Sequence, residues 1–149
     1  MHVSGDDFIG MYPEWFWGPT GQEETFMHYL PAIISGLHRC VAALAKSGNN
    51  IIVDHVLHKK GWLEECIENW DGLDVLFVGV KCPLETAEQR EKERGDRNVG
   101  TARDQYEHVH AHRLYDIDVD TSILTVDECV MRITELVKKK PTKAAFGAV

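Results

Sequence analysis

The chain has 149 residues, 44% hydrophobic and 27% charged, with a formal net charge of −8. That length suits one compact domain, and the acidic balance argues against nucleic acid or an anionic membrane as the partner and for small molecules. No apolar run approaches the roughly 18 residues that span a bilayer, and Met1-His2-Val3-Ser4 has neither the basic start nor the apolar centre of a signal peptide, so a soluble, cytoplasmic protein is expected.

In chain order, His2-Val3-Ser4 reads as a short strand followed by the acidic pair Asp6 and Asp7. Tyr12, Trp15, Phe16 and Trp17 come next, an aromatic group able to stack on a substrate ring or to cover a core. Ile33, Ile34, Leu37, Val41, Leu44 and Ala45 repeat at helical spacing, and Gly48 supplies a left-handed stop. The runs from Asn50 to Val56 and from Asp74 to Val80 are continuous and rich in β-branched residues, as in strands buried on both faces of a parallel sheet. Between them Trp62, Leu63, Cys66, Ile67 and Trp70 form a helical stripe that ends at the turn Asp71-Gly72, completing a βαβ unit.

Pro83 suits a first helical turn, Leu84 to Arg94 is rich in helix formers, and Gly95 ends that helix. The alternating Tyr115 to Asp120 reads as a half-exposed strand near a sheet edge. Thr125 and Glu128 have the spacing of a capping box, which predicts a last helix from Val126 to about Lys140. The elements predict a single α/β domain over residues 1–140, a mainly parallel sheet flanked by helices, with a flexible tail over 141–149. Ligands then belong at the carboxyl ends of the strands. Cys40, Cys66, Cys82 and Cys129 form no Cys-x-x-Cys pair and lie in apolar stretches, so they read as reduced, buried hydrophobes.

Carboxylates follow two of the strands, Asp6 and Asp7 in one place and Asp54 in the other. There a carboxylate can hold magnesium through water or take a proton from an attacking hydroxyl; it can equally cap a helix or turn. Arg90, Arg94 and Arg97 stand at i, i+4 and i+7, one cationic stripe in a continuous helix, and guanidinium forks suit phosphate oxygens. Gly95 and Gly100 bracket a lid over residues 90–103, whereas the interleaved Glu91, Glu93 and Asp96 allow an ordinary solvated, ion-paired helix instead. His108, His110 and His112 lack zinc spacing, and on a helix only the first and last share a face.

Gly79-Val80 before Cys82, the run Arg90-Glu-Lys-Glu-Arg94-Gly95-Asp96-Arg97, and Tyr115-Asp-Ile-Asp-Val-Asp120-Thr121-Ser122 together resemble the second half of the chloramphenicol phosphotransferase-like family, over about Ser4 to Val137. The resemblance implies a P-loop kinase fold like that of nucleotide and shikimate kinases. It also implies ATP and Mg2+ as cofactors and phosphoryl transfer to a hydroxyl of a small molecule, with chloramphenicol as the namesake substrate. It makes Asp6 the base, places Asp54 near magnesium, and has Arg90, Arg94 and Arg97 grip phosphate, with Asp7, Tyr12 and Trp15 on the substrate side.

Nothing in the sequence reads G-x-x-x-x-G-K-[ST], the loop whose amides and lysine cradle the phosphates. In the family that loop, with the first strand and helix, lies before the position of Met1. An incomplete chain is the expectation, and with it weak or no ATP binding by this chain alone. A non-catalytic binding or interaction remnant stays open, as do a kinase of a nucleoside or shikimate-like acid and the oligomeric state.

Overall fold

In the computed structural model, which describes residues 1–13, 23–95, 99–112, 114–139 and 145–146, the chain forms two compact units, Met1–Leu73 and Asp74–Val149. Each contains a parallel pair of strands with helices before, between or after them, so the chain is an α/β protein with parallel strands flanked by helices.

The N-terminal unit runs β1 (His2–Ser4), α1 (Gly5–Gly10), α2 (Glu23–Lys46), β2 (Ile52–Asp54) and α3 (Lys60–Asn69). β1 and β2 pair in parallel with Ser4 opposite Asp54. Ile33, Ile34, Leu37, Val41 and Ala42 are buried on one face of α2, the consequence of their three-and-four spacing. α2 packs on α3, where Leu63 and Cys66, with Trp70 just beyond, are buried at the matching period. Gly48, at φ 90°, turns the chain out of α2 toward β2. α2 begins ten residues before the apolar stripe and holds Pro31 inside it, which deprives one carbonyl a turn earlier of its ladder donor.

The C-terminal unit runs β3 (Val78–Lys81), α4 (Leu84–Arg94), α5 (Thr101–Val109), β4 (Ile117–Asp120) and α6 (Val126–Lys139). β3 and β4 pair in parallel with Gly79 opposite Asp118. A Cβ on Gly79 would collide with Asp118 Oδ1 and lie 2.8 Å from the Tyr115 ring, so any side chain here forces these neighbours to shift. The Thr125/Glu128 capping box forms: Glu128 N donates to Thr125 Oγ1 and Thr125 N to Glu128 Oε2.

Several expectations need correction. The strands are shorter than their apolar runs, and they are not buried on both faces: Ile52 is 72% and Val80 59% exposed. Among the described residues each ladder joins two strands, and a two-stranded ribbon leaves much of its surface uncovered. α4 stops at Gly95, which adopts φ 64°, so the arginines do not run along one continuous helix. The chain restarts as α5, which the sequence did not announce because Gly100, at φ 108°, occupies the N-cap with no side chain to supply a signature. α5 ends at Val109, so His108 and His112 do not share a helical face. Trp15, Phe16, Trp17, Asp96 and Arg97 lie outside the described residues. No described helix is long and apolar enough to cross a membrane.

Candidate active site

In the N-terminal unit, β1 hands directly into α1, and Ser4 caps that helix. Ser4 Oγ accepts from Asp7 N at 3.0 Å while Asp7 Oδ2 accepts from Ser4 N at 3.2 Å. Asp7 therefore serves as a helix cap, the structural role open to it from the start. Asp6 lies beside it in the first turn of α1, exposed, and Tyr12 follows the helix half-buried, its amide donating to Ile9 O at 3.1 Å. Asp54 is the last residue of β2, exposed and opposite Ser4. Parallel pairing thus brings both carboxylate positions to the carboxyl end of one ladder, although they are almost fifty residues apart.

In the C-terminal unit a cavity of about 270 Å³ opens beyond the end of β3, between α4 and α5. Arg90, Arg94, Glu91, Cys82, Thr101 and His110 are among the residues lining it. Arg90 is held by two hydrogen bonds to the residue that follows β4, one to Thr121 Oγ1 at 2.8 Å and one to Thr121 O at 2.7 Å. Thr121 is itself tied to β3, its amide donating to Lys81 O at 2.8 Å. The arginine run and the strand ending Asp120-Thr121-Ser122, separate in sequence, therefore meet at a hydrogen-bonded junction.

Glu91 fastens the other wall. Its two carboxylate oxygens accept from Gly100 N at 2.8 Å and Ala102 N at 2.7 Å, capping α5 from outside where its own N-cap glycine cannot. These amides, with Gly100 first, hold the Glu91 carboxyl below its ordinary range. Arg103 Nε donates to Glu88 Oε1 at 2.7 Å and adds a second tie between the helices. Within the segment read as a lid, α4 is thus clasped to the start of α5 by carboxylate-to-amide bonds.

Behind the cavity, Lys81 Nζ lies 2.9 Å from Asp118 Oδ1 and 5.0 Å from the centre of the Tyr115 ring. Burial and then Asp118 push the Tyr115 hydroxyl up to about 12, and His110 Nδ1 sits 2.5 Å from that hydroxyl. Burial, then Lys81, holds His110 below its usual value. A neutral imidazole and a firmly protonated phenol follow, a polar wall that adds no charge to the arginines' side.

Sequence reasoning missed Glu91 as a clasp and missed a polar cluster buried in the N-terminal unit, where His38 and His55 approach within 2.8 Å. Periodicity treats His38 as one more position on a stripe, and no spacing rule links it to His55. All four cysteines are free thiols; Cys66 and Cys129 are buried, Cys40 and Cys82 half-exposed.

Residues 2–138 match the family model described as "Chloramphenicol phosphotransferase-like protein". Curated proteins named as candidate O-phosphotransferases, from two strains of Mycobacterium tuberculosis, are 32% identical over 130 residues, covering 85% of this chain and 58% of the relative. The chain therefore spans little more than half the length of these relatives. The structure of a Deinococcus radiodurans tunicamycin resistance protein superposes with a TM-score of 0.63 at 17% identity, over 93% of this chain and 82% of that one, which is a likeness of fold.

Proposed function

The chain belongs to the chloramphenicol phosphotransferase-like family, and from that premise we propose that it serves ATP-dependent phosphoryl transfer to a hydroxyl of a small molecule. The observation that carries this reading is the cavity lined by Arg90 and Arg94, with Arg90 locked by Thr121. Anchored guanidinium groups favour phosphate oxygens and need no reorganisation when charge moves onto a transferring group.

In this reading the acceptor oxygen attacks the γ-phosphorus of ATP, the bond to ADP breaks, and the hydroxyl proton passes to the Asp6 carboxylate. Asp54, an exposed carboxylate at a strand end, suits a hard cation held partly through water, and magnesium there would neutralise phosphate charge. Arg90, Arg94 and Arg97 take the phosphate oxygens, and Tyr12 with Trp15 the substrate. Asp7 Oδ2 caps α1, and its other carboxylate oxygen stays on the substrate side.

Because no G-x-x-x-x-G-K-[ST] occurs in the sequence, these residues by themselves would hold ATP weakly. A second reading is a binding module that retains the cavity but transfers nothing. The test compares this chain with a version extended upstream in frame to include a glycine-rich phosphate loop, by calorimetry with ATP and Mg2+ and by transfer of labelled γ-phosphate to hydroxyl acceptors, nucleosides and shikimate-like acids included. Only the extended protein should transfer. There Asp6→Asn should cut the rate by about 10²–10⁴-fold while ATP still binds. An unchanged rate removes Asp6 from the chemistry, and binding without transfer by the extended protein selects the binding module.

A further inference from the structure

Three side chains that phosphoryl transfer leaves unused converge inside the N-terminal unit. His38 comes from α2, His55 directly follows β2, and Cys66 comes from α3. One ring nitrogen of each histidine and the Cys66 sulfur lie within 4.8 Å of one another, and the two Nε2 atoms are 2.8 Å apart. His38 is completely buried and Cys66 is 1% exposed.

The surroundings orient His38 as a ligand would need to be oriented. Its Nδ1 lies 3.1 Å from Glu65 Oε2, and the Ser35 hydroxyl donates to Glu65 Oε1. The Nδ1 contact is close without being aligned as a hydrogen bond. A carboxylate on Nδ1 draws the ring proton there and leaves the Nε2 lone pair aimed at His55, the arrangement that fixes the tautomer of metal-binding imidazoles. The Trp70 indole donates to His38 O at 2.9 Å and pins the backbone beneath the ring. His55 has a backbone hydrogen bond at Val56.

We propose that His38, His55 and Cys66 form a binding site for a zinc-class divalent cation, with Glu65 as the positioning residue for His38. Imidazole and thiolate together select such ions over magnesium and calcium, which take oxygen, so the site is chemically separate from any magnesium at Asp54 and does not rest on the phosphotransfer reading. In a tetrahedral zinc site, bonds of about 2.0–2.1 Å to nitrogen and 2.3 Å to sulfur set ligand atoms roughly 3.3–3.6 Å apart. The Nε2 atoms need to part by about half an ångström, and the widest pair to close by no more than about 1.5 Å. On binding, Cys66 gives up its thiol proton to solvent, and the ion takes its fourth ligand from outside these three. The ion would join α2, α3 and the residue next to Asp54, stapling the end of β2.

The alternative occupant of this space is a proton: two neutral imidazoles sharing one hydrogen bond beside an inert thiol. The chain, stripped with chelator under reducing conditions, separates the two. It should hold one zinc per chain through gel filtration and native mass spectrometry, and its cobalt form should show thiolate-to-cobalt charge transfer. Cys66→Ser and His55→Gln should lose stoichiometric zinc, Cys40→Ser and a His108→Ala/His110→Ala double variant should keep it, and Glu65→Gln should weaken affinity by about 10–100-fold while preserving the cobalt–thiolate band. No retained zinc in the unmodified chain, a cobalt spectrum without thiolate, or Cys66→Ser binding as tightly would each overturn the proposal. The cobalt spectrum of the unmodified chain decides the matter even where a variant fails to fold.

Discussion

The two units solve the same packing problem differently. In the N-terminal unit, α2 and α3 bury a continuous apolar seam built from Ile33, Ile34, Leu37, Val41, Leu63 and Trp70. In the C-terminal unit, Val119 and Cys129 are the buried apolar residues among those described, and Val126, Val130 and Val137 of α6 are more than half exposed. That unit relies instead on polar ties: Lys81 with Asp118, Arg90 with Thr121, Glu91 with the amides of α5, and Phe77 N donating to Asp116 Oδ2 at 2.8 Å. The lesson is that packing energy and ligand-facing charge are segregated. A cavity lined by arginines keeps its cations in water's reach, where each contact contributes little, while the buried unit can carry the cost of an internal polar cluster.

The largest effect should come from the seam. Leu37→Ala removes a fully buried side chain and should cost about 3–5 kcal/mol in a urea denaturation series. A loss below 1 kcal/mol would mean that the seam is not what holds the N-terminal unit. Next comes Gly79→Ala, where the new methyl collides with Asp118 and Tyr115 and should cost about 1–3 kcal/mol. Adding Asp118→Ala should recover part of that loss, and a strictly additive double variant would argue that the clash is relieved elsewhere.

The smallest effect concerns the clasp. Because the backbone amides lower the Glu91 carboxyl, its contribution is complete above the ordinary glutamate value of about 4.3 and fades as pH falls through the lowered folded value. Hydrogen-exchange protection at Gly100 and Ala102, corrected for intrinsic rates, should decline over that acidic window and not at neutral pH. Glu91→Gln should abolish the decline. Protection that persists into stronger acid would show that α5 is held by other contacts, making the two units more alike than described.

Much of the C-terminal unit was legible because its chemistry is local. The arginine run, the strand from Tyr115 and the capping box at Thr125 each lie within one short stretch, and the contacts they make, such as Arg90 to Thr121, join two already readable motifs. The existence of α2, α3, α4 and α6 followed from period and caps, and Gly48 and Gly95 from the left-handed turns they occupy. Strand lengths did not follow, because an apolar run such as Asp74 to Val80 states what could pair but not how far a partner extends.

What the sequence determined by itself was therefore the class of the fold, the glycine stops after α2 and α4, the N-terminal cap of α6 and the separate motifs, all set by interactions within a few residues along the chain. Tertiary structure alone decided that Asp54 joins Asp6 at one ladder end, that Glu91 reaches across to α5, and that His38, His55 and Cys66 meet. Those choices depend on strand register and helix packing, which bring together residues that no spacing along the chain relates.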